Sequence, residues 1–239
     1  STKEIIFTSG TTHSINLVAN GFNNSLKAGD EIIVSSLEHH SNIVPWQMLC
    51  EKTGATMKVI PMNQEGELNL NAYEDMLSKK TKIVFVNHVS NALGTVNPIK
   101  FIIDKAHSFS AKVLIDGAQA IPHFKVDVND LNADFYVFSA HKFCGPTGVG
   151  ILYAKQSILE DFPPYQGGGE MIDEVTFEKT TYADLPNKFE PGTPNIAGVI
   201  ASGIALDYIN GIGLDNIKKY EDELLSYATQ KLKTINNLK

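Results

Sequence analysis

The chain of 239 residues contains no arginine: all 20 of its basic residues are lysine. It therefore lacks the planar, two-pronged guanidinium that grips carboxylates best, since an ammonium is a point charge on a flexible stem. Cysteine is almost as scarce. Cys50 and Cys144 are the only two and lie far apart, which excludes a disulfide framework and fits a reducing cytoplasm. With no CxxC pair, a structural zinc site has no ligand set. No apolar run approaches the ~20 residues of a membrane span. Ser1 to Gly10 lacks the basic stretch followed by an apolar one that marks a secretory leader. Positive charge is in deficit, 20 basic against 27 acidic residues for a net charge of −7, which argues against nucleic acid or an anionic membrane as the main partner. The chain also lacks an initiator Met. It opens on a strand-like Glu4-Ile5-Ile6-Phe7 and closes on a polar, helix-like Lys231–Lys239. Both ends read as cut, and the expectation is a piece of a longer enzyme.

What is present is a chain able to bury a real core, as one large α/β domain or two small ones. Short β-branched or aromatic runs bounded by turn residues predict strands at Ile5–Phe7, Glu31–Ser35, Met57–Ile60, Ile83–Asn87, Lys112–Ile115, Phe135–Phe138 and Gly150–Tyr153. Amphipathic stretches between them predict helices at Thr12–Asn24, Asn42–Thr53, Leu70–Leu77 and Ile99–Ser110, with Asn69 as an N-cap. A last helical region covers Ile196–Asn210 and Leu214–Leu238. This alternation predicts an α/β fold with a mainly parallel sheet covered on both faces. Residues 162–194, rich in Gly, Pro and polar side chains, read as an extended surface excursion toward a partner subunit.

Ligands of open α/β sheets bind beyond the carboxyl ends of the strands. Five strands here deliver polar groups there: Thr8-Ser9-Gly10-Thr11-Thr12, Glu38-His39-His40-Ser41-Asn42, His88-Val89-Ser90-Asn91, Asp116-Gly117-Ala118-Gln119 and Ser139-Ala140-His141-Lys142. The first can cradle a phosphate on a helix N-terminus or be a simple helix cap. It matches neither GxGxxG nor the P-loop, so a dinucleotide site has no support. Asp116, closing an apolar strand, is either a capping residue or a carboxylate for a cationic ligand nitrogen such as a pyridinium. Lys142, between an aromatic strand and a Gly/Pro turn, can act as a Schiff-base nucleophile, with Ser139 and His141 beside it as phosphate donors. His39 and His40 lack the spacing of a metal site, and an imidazole there can instead stack on a flat cofactor or shuttle protons. His88 reads as a core histidine; His13, His107 and His123 read as surface or structural residues. Cys50 reads as a packed hydrophobe, and Cys144, two residues past Lys142, as structural rather than nucleophilic.

Together these strings resemble fold-type I pyridoxal-phosphate enzymes, and within them the class V aminotransferase family. The resemblance rests on Glu38-His39-His40-Ser41-Asn42-Ile43-Val44-Pro45-Trp46-Gln47, His88-Val89-Ser90-Asn91-Ala92-Leu93-Gly94, Asp116-Gly117-Ala118-Gln119-Ala120 and Ser139-Ala140-His141-Lys142. Gly145-Pro146-Thr147-Gly148-Val149-Gly150, Gly167-Gly168-Gly169-Glu170-Met171-Ile172 and Phe189-Glu190-Pro191-Gly192-Thr193-Pro194-Asn195 extend it over essentially the whole chain. The series is similar to the group II (SUF-type) cysteine desulfurases, also described as selenocysteine lyases.

The resemblance implies pyridoxal 5′-phosphate as cofactor and no metal. Lys142 would join the cofactor covalently and later move protons on the substrate. Asp116 would pair with the ring nitrogen, Gln119 would hydrogen-bond the phenolic oxygen with Asn91 near the same edge, and His39 would stack on the ring. Thr11, Thr12, Ser139 and His141 would hold the phosphate. Thr193, with the loop 167–169, would reach into a partner's site across a two-fold axis, implying a homodimer. The implied reaction removes sulfur from L-cysteine, or selenium from L-selenocysteine, to give L-alanine and, for cysteine, an enzyme persulfide, passed to an accessory protein for iron–sulfur assembly. Residues 1–210 would form the large cofactor domain, and residues 211–239 a connecting helix toward a small C-terminal domain.

Three departures stand beside this. Neither Cys50 nor Cys144 is at the family's nucleophile position. No arginine is present to bind a substrate carboxylate. His13 follows the Thr pair where the family pattern has an acidic residue. The fragment is therefore expected to bind cofactor without completing desulfuration. Alternatives are another class V reaction (aminotransferase, kynureninase-like or epimerase) or a non-catalytic scaffold with the same fold.

Overall fold

The apolar runs pair into one sheet because they are short, β-branched and bounded by turns. The computed structural model describes residues 1–236. The seven strands of the large sheet are β1 (Ile5–Thr8), β2 (Glu31–Ser35), β3 (Thr56–Ile60), β4 (Thr81–Asn87), β5 (Lys112–Asp116), β6 (Phe135–Ser139) and β7 (Gly150–Ala154). They lie side by side in the order β1-β7-β6-β5-β4-β2-β3. Strands β2 to β6 pair in parallel. Strand β7 is antiparallel to both β6 and β1, so β1 points the same way as the parallel set. The register places Gly150 opposite both Thr8 and Ser139. The carboxyl ends of β1 and β6 therefore flank the start of β7 at one sheet edge.

The helices are α1 (Thr11–Gly21), α2 (Val44–Thr53), α3 (Leu70–Met76), α4 (Ile99–Ser108), α5 (Val128–Leu131), α6 (Gln156–Asp161), α7 (Ile196–Ile212) and α8 (Leu214–Leu232). Successive strand residues point to opposite faces, so the continuous apolar runs supply two cores. Ile83 and Phe85 of β4 join Ile15 and Val18 of α1 and Trp46 of α2 on one face. Val84 and Val86 join Tyr73 of α3 and Ile102 and Ile103 of α4 on the other. Each large side chain so buried is worth about 1.5–3 kcal/mol. Helix α4 shows the pattern plainly: Ile99, Ile102, Ile103 and Ala106 are its buried residues, spaced along one stripe. A third cluster packs Ala205 and Ile209 of α7 against Ala140 and Phe143, bracing the turn that carries Lys142.

The predicted strands and helices all form, with boundary differences of physical origin. Asn69 caps α3, its side chain accepting from the Ala72 N–H at 3.0 Å. Helix α1 stops at Gly21 rather than Asn24: the chain leaves it through tighter turns, the Phe22 N–H donating to the Ala19 carbonyl at 3.2 Å and the Asn23 N–H to the Asn20 carbonyl at 3.0 Å, and Asn23 Nδ2 donates to Asn20 Oδ1 at 2.6 Å. The last helix ends at Leu232, with Lys233–Asn236 in a turn; residues 237–239 lie outside the described residues. The excursion 162–194 carries a small hairpin, β8 (Ile172–Val175) and β9 (Thr180–Tyr182). Among the described residues no single helix is long and apolar enough to cross a membrane.

Candidate active site

Strand β2 leads outward to β3, whereas β4 leads the other way to β5 and β6. The chain direction diverges between β2 and β4, and a crevice opens there beyond the strand ends. A cavity of about 390 Å³ occupies this edge. Thr11, Thr12, His39, Asn91, Asp116, Gln119, Ser139, His141 and Lys142 all line it. Nine of the ten predicted site residues thus meet in one cavity, delivered by the ends of β1, β2, β4, β5 and β6. Thr193 does not line it. It lies, exposed, on a neighbouring cavity of about 450 Å³ that shares Ser9 and His13 with the first.

One end of the cavity is built for an anion. Gly10 caps α1 without a side-chain bond. The Thr11 N–H and hydroxyl both bond the Ser139 hydroxyl, at 2.8 and 2.7 Å, tying this turn to the end of β6. Among the described residues the N–H groups of Thr12 and His13 have no acceptor. They stand at the positive end of an 11-residue helix. Gly150 makes the close approach possible: a Cβ there would lie 2.4 Å from the Gly10 Cα. Gly150→Ala is expected to destabilise the protein by about 1–3 kcal/mol and to weaken binding of inorganic phosphate. Thermal unfolding and phosphate titration check both effects.

The other end holds a carboxylate. Asp116 closes β5 and is only 6% exposed. Its side chain accepts one hydrogen bond, from the Ala118 N–H at 3.0 Å; among the described residues no side chain bonds it. Burial raises its pKa above the ordinary value, opposed by that N–H and by the charges of His39 and Lys142. Gly117 follows because Tyr136 packs there: a Cβ would meet its ring at 1.9 Å. The Tyr136 hydroxyl pairs with His88 Nδ1 at 2.8 Å, and burial lowers the His88 pKa to about 4. His88 is thus a neutral core histidine behind Asp116.

Lys142 sits on a short 3-10 turn, Ala140–Phe143, anchored by buried Ala140 and Phe143 while Lys142 itself is exposed. Its amine makes no hydrogen bond to the described residues and is free to reach into the cavity. His39 is also exposed, and its ring is held by Ser41, whose N–H donates to Nδ1 at 3.2 Å and whose hydroxyl pairs with it at 2.8 Å.

Beneath His39 lies a group that reading the residues alone did not single out. Glu38 is buried and accepts from the Ser35 hydroxyl, from Asn42 Nδ2 at 2.6 Å and from the Asn87 N–H at 2.8 Å. Burial pushes its pKa from 4.5 up to about 8, with Asp116 adding to the rise. Position in an acid-plus-histidine string at a strand end was the available signal. Its partner Asn87, from a different strand, was not visible in it.

His13, expected to be a surface or structural residue, instead lines both cavities, its Nδ1 accepting from the Ser9 N–H at 3.2 Å; the other candidates lie away from the first cavity. His107 bonds buried Asp134 at 2.7 Å, and His123 bonds Glu221 of α8 at 2.8 Å. Cys50 packs half-buried against the core, and Cys144 is exposed; neither lines the cavity.

The donor set fits the cofactor that the resemblance implies. Free helix N–H groups and hydroxyls suit a phosphate at one end, and a buried acid lacking a side-chain partner suits a protonated ring nitrogen at the other. A free amine stands at the mouth to meet an aldehyde.

The model of the family described as aminotransferase class-V matches residues 1–239. A cysteine desulfurase of Cronobacter sakazakii (strain ATCC BAA-894) is 53% identical over 238 residues, covering 99% of this chain and 59% of the relative. The solved structure of the cysteine desulfurase CsdA (S-sulfonic acid) from Escherichia coli superposes with a TM-score of 0.95 at 39% identity, covering 98% of this chain and 59% of that one. A mutant of C-DES with glycine covalently linked to its PLP cofactor superposes with a TM-score of 0.86 at 25% identity, covering 98% and 63%. The chain thus spans about three-fifths of the length of the relatives it matches. Its matched residues and the cavity they build agree: the chain belongs to the class-V aminotransferase family.

Proposed function

We propose that this chain is the cofactor-holding part of a pyridoxal 5′-phosphate-dependent cysteine desulfurase. The observation that carries the reading is Asp116, a buried carboxylate with no side-chain partner among the described residues, sharing a cavity with Lys142 and an anion-binding helix start. Pyridoxal phosphate bound there supplies an electron-withdrawing ring that accepts the electron pair left at the substrate Cα. Thr11, Thr12, Ser139 and His141 hold the phosphate. Asp116 would keep a proton on the ring nitrogen, Gln119 and Asn91 would hydrogen-bond the ring, and His39 would pack against it. Lys142 would supply the amine that holds the cofactor's aldehyde carbon, and the same amine would serve as the general base for the substrate Cα proton.

Sulfur transfer follows. An enzyme thiolate attacks the sulfur of L-cysteine, forming an S–S bond as the bond from Cβ to sulfur breaks. The electron pair stays with Cβ, which takes one proton; a second proton, returned to Cα by the Lys142 amine, completes L-alanine, and the thiol is left as a persulfide. L-Selenocysteine offers the same geometry with selenium. Neither Cys50 nor Cys144 lines the cavity, so the accepting thiol comes from outside residues 1–236. Thr193 and the loop 167–169, exposed beside the neighbouring cavity, serve a partner's site in a homodimer, and the persulfide passes to an acceptor protein for iron–sulfur assembly.

The test is alanine release from L-cysteine with added pyridoxal phosphate. The 239-residue chain alone is expected to bind cofactor and release no alanine through repeated turnover. Robust turnover by this chain would contradict the division of labour proposed here.

A further inference from the structure

We propose that Glu38 is a positioning residue, holding His39 over the cavity and setting the charge felt at Asp116; this rests on the cofactor reading above. The carboxyl joins three elements. Ser35 ends β2, Asn42 lies in the turn beyond His39, and the Asn87 N–H ends β4, and all three donate to it. Asn87 also grips the same loop through its amide, which donates to the Leu37 carbonyl at 2.5 Å. The loop bearing His39 is thus fastened across the crevice between β2 and β4, where the chain direction diverges.

The geometry asks for a carboxyl rather than an amide. Trp46 Nε1 donates to Asn42 Oδ1 at 3.1 Å, which fixes the orientation of Asn42 and turns its NH₂ toward Glu38. Both oxygens of Glu38 therefore face fixed donors: Asn42 Nδ2 at one, the Asn87 N–H at the other. A glutamine there must turn its own NH₂ on one of them. Of the charged groups around Glu38, Asp116 at the end of β5 acts on it directly; Ser35, Asn42 and Asn87 face it as neutral donors. His39 and Lys142 act in turn on Asp116. Burial favours the protonated acid, whose O–H can turn to the Ser35 hydroxyl, the partner able to accept; as pH rises and that proton leaves, Glu38 adds a negative charge beside Asp116 that a glutamine cannot supply.

Two readouts test the proposal, one without cofactor. In the cofactor-free protein, Glu38→Ala is expected to speed amide hydrogen exchange at Asn42 and Ile43 by about tenfold or more, with β5 and β6 unchanged. In the protein loaded with pyridoxal phosphate, Glu38→Gln is expected to move the pH midpoint of the bound cofactor's visible absorption by about 0.5 unit or more. It is also expected to change the circular dichroism of that band. A merely structural role would lower the melting temperature and leave both spectral properties in place. If Glu38→Ala fails to fold, the Gln variant decides alone. Wild-type spectra in the Gln variant would overturn the proposal while the cofactor reading stands. A wild-type protein that forms no reducible cofactor adduct would overturn both.

Discussion

Lys142→Ala is expected to abolish covalent attachment of pyridoxal phosphate while leaving the fold intact. Lys142 is exposed, makes no hydrogen bond to the described residues and sits on a turn held by its buried neighbours Ala140 and Phe143. Truncating it removes no packing, so the free energy of unfolding should change by no more than about 0.5 kcal/mol. Chemistry is another matter. Among the described residues it is the lysine that lines the cavity, so no second amine can take its place. Borohydride reduction should fix cofactor to the wild type and none to the variant. The same substitution in the full-length protein should lower alanine formation by at least about 10³-fold, because it removes the general base as well as the attachment point. Retention of a reducible adduct would point to a different amine.

Asp116→Asn carries the second large effect, and it has opposite signs with and without cofactor. The folded-state pKa of Asp116 lies above its ordinary 3.8 because of burial. Between those two values the native state holds a proton that the unfolded chain has lost, so stability falls as pH rises through that window. Above it the cofactor-free protein carries a buried charge at a standing cost. Asparagine removes the cost, and the cofactor-free variant should melt at a higher temperature than wild type near neutral pH, the gap closing as pH drops below 3.8. With cofactor the order reverses. A hydrogen bond to a charged group is worth about 1.5–3 kcal/mol, so affinity for pyridoxal phosphate should fall about 10- to 100-fold, and catalysis further as the ring nitrogen loses its proton. Paired melting curves with and without cofactor check both signs. A variant less stable in the free state would mean that Asp116 serves the fold rather than a ligand.

That functional groups can weigh on the fold explains why much of the site was legible in the amino-acid sequence. Asp116 ends a run of Val113, Leu114 and Ile115 where a polar residue gains nothing from burial, and Lys142 follows Phe135–Phe138 in the same way. Short β-branched runs announce the strands, and the strand ends announce the edge where ligands bind. Other features depend on contacts between distant segments. The order of the strands, and with it the crevice between β2 and β4, comes from pairing that no local pattern encodes. The bond between Thr11 and Ser139 joins the first strand's turn to the sixth strand. Glu38 finds its third donor in Asn87, on another strand, and its altered acidity follows from burial that composition does not reveal. The pattern of the last helix continues past Leu232, but there the chain turns over exposed Lys233–Asn236; periodicity alone does not mark where a helix end frays.

The most direct measurement is peptide mapping of the protein after pyridoxal phosphate has been bound and fixed by borohydride. The account predicts the modification on Lys142 at one equivalent per chain, competed by inorganic phosphate at the start of α1 and unchanged in position, though weaker, in Asp116→Asn. Label spread over several of the 20 lysines, or concentrated on a different one, would contradict it.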